Sequence, residues 1–307
     1  MDTVAINLSA FEPEELRLPG RFERFRPAQV EAVEWAAGSG KRFLGMCLPT
    51  GAGKTLAAMT LARVLGVRTA ILTSTKGLMQ QYMGDFGESG LVEIKGRANY
   101  RCADKKNANC RLGPHEGCRL AGDLGCTYES GRYGAKGAEV LVTNYAYWVR
   151  ANERGRGLEY TASQGGPNPI ELLILDEGHR AVEELSKALR VTVRETWLRA
   201  AGVGYEKECE DVEELRGWAA GEVNGVEEKF KEAAGKLRAK GSQAARDRVY
   251  ELEELKDGLG RISQMRGEYW VCEQRKGTEW GRVWDYDCIW PGSWAEARLF
   301  VGIPKVV

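Results

Sequence analysis

The chain has 307 residues, 43% of them apolar and 29% charged, and 44 Lys and Arg balance 44 Asp and Glu to a net charge of zero. That is room for one large or two ordinary domains, and it excludes a global basic field, so any nucleic-acid surface must be local. The opening "MDTVAINLSAFEPEELRLPG" is not a signal peptide, no apolar run reaches a membrane span, and eight cysteines are too few for a disulfide-stapled secreted scaffold, which leaves a reducing cytoplasmic compartment and no membrane partner as the expectation.

In chain order, "RFLGMCLPT" (42–50) reads as a short apolar strand, and "GKTLAAMTLARVLG" (53–66) has helical apolar spacing closed by Gly. "VRTAILTST" is a second strand and "KGLMQQYMGDF" a second helix, while "AEVLVTNYAYW" and "IELLILDEGH" supply two more apolar strands. Continuous apolar strands divided by helices predict an α/β fold with a parallel sheet covered on both faces. Two stretches interrupt the pattern. One is a cysteine-bearing segment. The other, about 180–281, is rich in Glu, Lys, Ala and Leu and reads as an all-helical insertion with charged outer faces. "ANERGRGLEYTASQGGPNP" is a polar connection, and the tail "RVWDYDCIWPGSWAEARLFVGIPKVV" reads as strand again.

"LPTGAGKT" (48–55) lies between a predicted strand and a predicted helix, where a phosphate-binding loop belongs. Gly51 and Gly53 let the backbone wrap closely around phosphate oxygens, with N–H groups across Thr50–Thr55, including Ala52, pointing at the anion. Lys54 can reach the β- and γ-phosphates of ATP, and Thr55 can ligate Mg²⁺. Leu48 stands where the general pattern has Gly, but the tight part of the loop is intact. "LLILDEGH" (172–179) is a buried-type strand ending in two carboxylates. Asp176 is suited to hold Mg²⁺, and Glu177 to orient and deprotonate an attacking water. Gln29, in "FRPAQ", could read adenine with its two-sided amide or be an exposed helix residue.

Cys102, Cys110, Cys118 and Cys126 recur every eight residues. In one helix, neighbours would lie about 80° out of phase and ~12 Å apart, unable to share a centre. Gly113, Pro114, Gly117, Gly122 and Gly125 break the segment into turns, so a wound loop could gather four thiolates. The absence of a close C-x₂-C pair favours a [4Fe–4S] cluster, with zinc remaining an alternative on spacing alone. His115 among them reads as a loop residue, Cys47 as a buried thiol, and Cys209, Cys272 and Cys288 as scattered thiols with no shared metal. The segment is locally basic: Lys95, Arg97, Arg101, Lys105, Lys106, Arg111 and Arg119 face only Asp104, Glu116 and Asp123. That is a phosphate footprint for single-stranded DNA, with Tyr100 and Tyr128 as candidate stacking rings. Trp270, Trp280, Trp284, Trp290 and Trp294 are expected to pack where the chain re-enters its first domain.

The ordered set "FRPAQ", "PTGAGKT", "TSTKGLMQQ" and "DEGH" resembles motifs Q, I, Ia and II of superfamily 2 helicases, and four cysteines between Ia and II resemble the iron–sulfur, XPD/DinG-type branch. "KGRANYRC" and "VTNYAYW" are similar to the segments flanking the cluster in that branch. The resemblance implies a RecA-like P-loop domain (1–96, 137–180 and 282–307) carrying a cluster insertion (97–136) and a helical Arch-like insertion (181–281). It implies the cluster as the ligand of the four cysteines, 5′→3′ movement on single-stranded DNA, His179 as the residue coupling hydrolysis to DNA, and Thr75 and Gln81 as DNA contacts. No Q-x-x-G-R-x-x-R and no S-A-T motif follows "DEGH". The second RecA-like domain is therefore expected to be missing, and this chain to bind ATP and DNA with negligible turnover. Two other readings stand beside it: a nucleotide- and DNA-binding module, and a P-loop ATPase with a structural zinc domain.

Overall fold

The computed structural model describes residues 6–153, 157–159, 168–205, 211–266, 269–276 and 281–307. The chain divides into two compact units: residues 1–96, 130–185 and 294–307, and residues 97–129 and 186–293.

The first unit holds helices α1 (Pro27–Gly38), α2 (Lys54–Leu65), α3 (Lys76–Phe86) and α5 (Tyr145–Glu153), with most of α4 (Thr127–Gly137). Its strands are β1 (Thr69–Thr73), β2 (Leu91–Glu93), β3 (Val140–Asn144), β4 (Leu172–Leu175) and β8 (Lys305–Val306). They form one parallel sheet in the order β2-β3-β1-β4-β8. Every residue of β1 is buried, as its unbroken apolar run requires of a strand covered on both faces. Met59 and Leu61 of α2, and Met79, Tyr82 and Phe86 of α3, pack with Ile71, Val142 and Ile174 in one core. Trp148 of α5 is buried, and its indole N–H donates to the Leu299 carbonyl at 2.8 Å.

The strand expected over 42–50 does not form. Residues 42–44 run alongside β8 through a single bridge, Phe43 to Val306, and 44–49 are irregular. The two residues of β8 offer ladder partners to 42–44 alone, and an extended segment without a neighbour gains no ladder hydrogen bonds. Cys47 is accordingly exposed, not a buried thiol.

The second unit holds α7 (Glu195–Ala201), the long helices α8 (Val212–Lys240) and α9 (Gln243–Ile262), and an antiparallel sheet. Its strands β5 (Val191–Arg194), β6 (Trp270–Lys276) and β7 (Arg282–Cys288) pair in the order β5-β7-β6. Asp211 caps α8 by accepting from Glu213 and Glu214 N–H, Ser242 caps α9 by accepting from Ala245 N–H, and Gly241 turns between them at φ 54°. Val249, Leu252, Leu255, Leu259 and Ile262 line the inner stripe of α9 against Val191, Val193, Trp284 and Tyr286. The insertion is thus helical in part, with a sheet that the expectation of an all-helical segment did not include. Helix α6 (Ala181–Leu189) runs through the change of unit at 185/186, and α10 (Gly292–Ala295) through that at 293/294; the sequence reading put these boundaries at 180/181 and 281/282. The tail is strand only over β7, in the second unit, and β8, in the first; residues 296–300 between them are helical. Of the tail tryptophans, Trp284 is core of the second unit, Trp290 is 65% exposed, and Trp280 and Cys209 lie outside the described residues. Cys272 is held in a disulfide, not free.

Candidate functional site

The turn before α2 has the backbone its glycines foretell. Gly51 and Gly53 stand at φ 79° and 81°, the left-handed region open to Gly at little cost, and α2 begins at Lys54 with no side chain capping its first N–H groups. Those donors, which include Thr55, face an anion position at a helix N-terminus. Arg26 braces the loop by donating to the Gly51 carbonyl at 2.5 Å. Thr50 is exposed at the mouth of the turn, while Ala52 and Thr55 are half-buried.

Gln29 is neither exposed nor free to read a base. It is 3% exposed; Nε2 donates to the Ala52 carbonyl at 2.8 Å and the Gly53 carbonyl at 3.3 Å, and Oε1 accepts from Arg26 N–H at 2.9 Å. Both ends of its amide are engaged with local backbone. A Cβ on Gly53 would stand 2.3 Å from Gln29 Nε2, so this contact itself requires glycine there.

The chain leaves β4 at Asp176, whose N–H donates to the Leu72 carbonyl of β1 at 2.9 Å. Glu177 follows at φ 55°, an uncommon conformation for a non-glycine residue, and so turns back toward the P-loop. Lys54 Nζ lies 3.7 Å from Glu177 Oε1, and His179 Nδ1 lies 3.4 Å from Glu177 Oε2. Asp176 Oδ1 accepts from Glu177 N–H at 3.0 Å. Burial pushes the Asp176 carboxyl above its ordinary range, an effect that the Tyr82 hydroxyl, the Glu177 N–H and Lys54 oppose. Lys54, Asp176, Glu177 and His179 line one cavity of about 620 Å³ with Met46, Cys47, Leu48, Tyr82 and Ile174. That volume suits a nucleotide-sized ligand. Two tyrosines that the sequence reading passed over frame the acid: Tyr145 donates to the Asp176 carbonyl at 3.3 Å, and Tyr82 faces its carboxylate. Tyr82 recurs with Met79 and Phe86 as the buried stripe of α3, and nothing in that spacing distinguishes it from core.

Thr75 and Gln81 are exposed on α3. Thr75 is the helix cap, its hydroxyl accepting from Leu78 N–H at 3.2 Å, which accounts for it without DNA.

In the second unit, Arg101 bridges Asn109 in a short antiparallel turn of chain, so Cys102 and Cys110 fall on the same face of that ribbon. Cys102 Sγ lies 3.5 Å from Cys118 Sγ, and Cys110 Sγ lies 3.8 Å from Cys126 Sγ. Gly113 admits the first pair, since a Cβ there would stand 2.7 Å from Cys102 Sγ. The donor set, four free thiols with three of them buried, has the number and softness that a cluster or a zinc ion needs. The spacing is that of two pairs, and among the described residues no group of three or more potential ligands converges on a metal position.

The basic footprint is largely paired. Arg97 meets Glu129 at 2.7 Å and lies over the Tyr128 ring, Arg119 meets Asp104 at 2.8 Å, and Lys105 meets Asp104 at 3.7 Å. Arg119 holds the Asp104 carboxyl down to about 2. Arg111 donates to Glu253 at 2.7 Å and also to Glu254 of α9. Arg101 and Lys106 make no ion pair among the described residues. Tyr128 is buried edge-on against Tyr100, and Tyr100 alone of the two rings is partly open.

No curated protein sequence matches the chain. Among solved structures it is similar to one described as truncated XPD, at 15% identity over 71% of this chain and 75% of that chain, with a TM-score of 0.38. Residues 23–201, from the segment before Gln29 to beyond "DEGH", match the family described as type III restriction enzyme, res subunit. The glycine-wrapped helix start opposite paired carboxylates on a parallel sheet agrees with a superfamily 2 helicase-like fold, and this chain belongs to the type III restriction enzyme res-subunit family.

Proposed function

We propose that the chain is the ATP-handling part of a DNA helicase of the iron–sulfur branch of superfamily 2. The observation that carries the reading is the single cavity shared by Lys54 at the start of α2 and Asp176 and Glu177 at the end of β4. Lys54 loses its link to Glu177 when γ-phosphate arrives and bonds that anion instead. Glu177, freed from Lys54 and still beside His179, becomes the acceptor for a proton from water. Asp176 and Thr55 are the residues suited to hold Mg²⁺, which when bound neutralises charge building on the β- and γ-phosphates. Burial of Asp176 supports this role, because a desolvated carboxylate gains most from a cation.

The motif resemblance extends the reading to single-stranded DNA as the track, 5′→3′ movement, and a [4Fe–4S] cluster held by Cys102, Cys110, Cys118 and Cys126. Tyr100, Arg101 and Arg97 are the nearest candidates for strand contact in the cysteine loop, with Arg101 the most available. Thr75 and Gln81 are candidates in the first unit. Lys54→Ala tests the nucleotide site. ATP affinity in Mg²⁺ buffer should fall at least tenfold with the circular dichroism spectrum kept; unchanged affinity would make "PTGAGKT" a structural turn.

A further inference from the structure

Tyr82 has no exposed surface, and its hydroxyl makes no hydrogen bond of ordinary length and angle among the described residues, although it lies close enough to the Asp176 carboxylate to favour its charged form. A buried hydroxyl left unpaired costs free energy, and phenylalanine would fill the same volume without that cost. Tyr82 is among the residues lining the cavity that Lys54, Asp176 and Glu177 share, and the ionisable group its hydroxyl meets most strongly is Asp176. Three other bonds hold Asp176. Its N–H is bonded to Leu72, its carbonyl accepts from Tyr145, and Oδ1 accepts from Glu177 N–H. A buried donor without an ordinary hydrogen bond and a carboxylate therefore face one another at the cavity.

We propose that Tyr82 is the positioning residue of the carboxylate suited to hold Mg²⁺: with metal and nucleotide bound, its hydroxyl would donate fully to the Asp176 carboxylate and hold that side chain in the orientation the cation needs. The proposal rests on the nucleotide reading above. The tyrosine has no ordinary hydrogen bond in the ligand-free protein and would gain one in the loaded state, so its benefit lies chiefly there. Removing the hydroxyl should then move stability and metal use in opposite directions.

The experiment uses Tyr82→Phe in the full chain, with two readouts. In EDTA without nucleotide, the melting temperature should equal that of wild type or exceed it, by roughly 2–6 °C at most, as an unpaired hydroxyl is removed. In a Mg²⁺ titration with a fluorescent, non-hydrolysable ATP analogue, half-saturation should need about 10-fold more Mg²⁺, the weight of one hydrogen bond to a charged group. Analogue affinity in EDTA should not change. In an Asp176→Asn background, adding Tyr82→Phe should have no further effect on the Mg²⁺ dependence. A wild-type Mg²⁺ requirement in Tyr82→Phe overturns the proposal. So does a lowered melting temperature with that requirement unchanged, the mark of a core residue. If wild type and Lys54→Ala bind the analogue equally weakly with and without Mg²⁺, the nucleotide reading itself fails, and the role of Tyr82 fails with it.

Discussion

The cysteine loop and α9 are joined within the second unit by charge, and that join has a calculable pH dependence. Glu253 accepts from Arg111 Nε at 2.7 Å and lies 3.6 Å from His115 Nε2, with its side chain 21% exposed. Burial alone would raise this carboxyl, but the nearby His115 imidazole and the charge and hydrogen bond of Arg111 outweigh it and hold the group down to about 2. The ordinary value is 4.5, so the depression is about 2.5 units, or about 3 kcal/mol at 1.36 kcal/mol per unit. A carboxyl whose folded pKa is depressed stabilises fully above its unfolded pKa, and that contribution disappears as pH falls toward the folded value. The stabilisation is therefore complete above about pH 4.5 and gone near pH 2.

Replacing Glu253 with Gln removes the titration while keeping the shape. At pH 7 the variant should melt roughly 6–12 °C below wild type, at about 2–4 °C per kcal/mol for a domain of this size. The two curves should converge between pH 4.5 and pH 2.5, since wild type loses there what the variant never had. Differential scanning calorimetry across that range is the assay, following the transition of the second unit. Curves that stay parallel from pH 7 to pH 2.5 would show that Glu253 does not titrate against Arg111 and His115, and would refute the clamp.

Gln29→Ala should weaken ATP and GTP binding by the same factor, about 3- to 30-fold, because it removes backbone braces from Ala52 and Gly53; competition between the two nucleotides checks this, and loss of discrimination would restore Gln29 as a base reader. Cys110→Ser should abolish iron and absorbance near 400 nm in anaerobically purified protein and weaken binding to single-stranded DNA; full retention of iron and DNA affinity would remove the cluster assignment.

The parts of this molecule that were legible in its sequence are those that depend on neighbours in the chain. The left-handed glycines of the P-loop follow from "TGAGKT", and the fully buried β1 follows from "TAILT". Both are local consequences of residue type and period. What remained hidden was set by partners far away. Residues 42–44 meet β8 from more than 250 positions downstream, so no pattern within "RFLGMCLPT" tells whether it will have a ladder. Strands β6 and β7 do alternate, with Trp270 and Cys272 facing the same side as Trp284, Tyr286 and Cys288, but a strand's period does not say which sheet it joins.

The same distinction governs the functional residues. A lysine after a glycine loop has its role written beside it, whereas an arginine in a basic segment is defined by what it meets. Arg111 finds Glu253 at a sequence separation of 142, and with that contact a phosphate-seeking charge becomes an internal tie. Arg97 undergoes the same conversion over 32 positions, while Arg119 pairs with Asp104 over 15 positions and stays exposed. Counting charges along 95–119 therefore overstated the open cationic surface, and Arg101, Lys106 and Arg119 are where that surface persists. Gln29 differs in the opposite sense: its amide suggests looking outward to a ligand, while the structure turns it inward to hold the turn before α2. In each case the residue type announced a capacity for hydrogen bonding, and the tertiary partner decided whether that capacity was left over for a ligand.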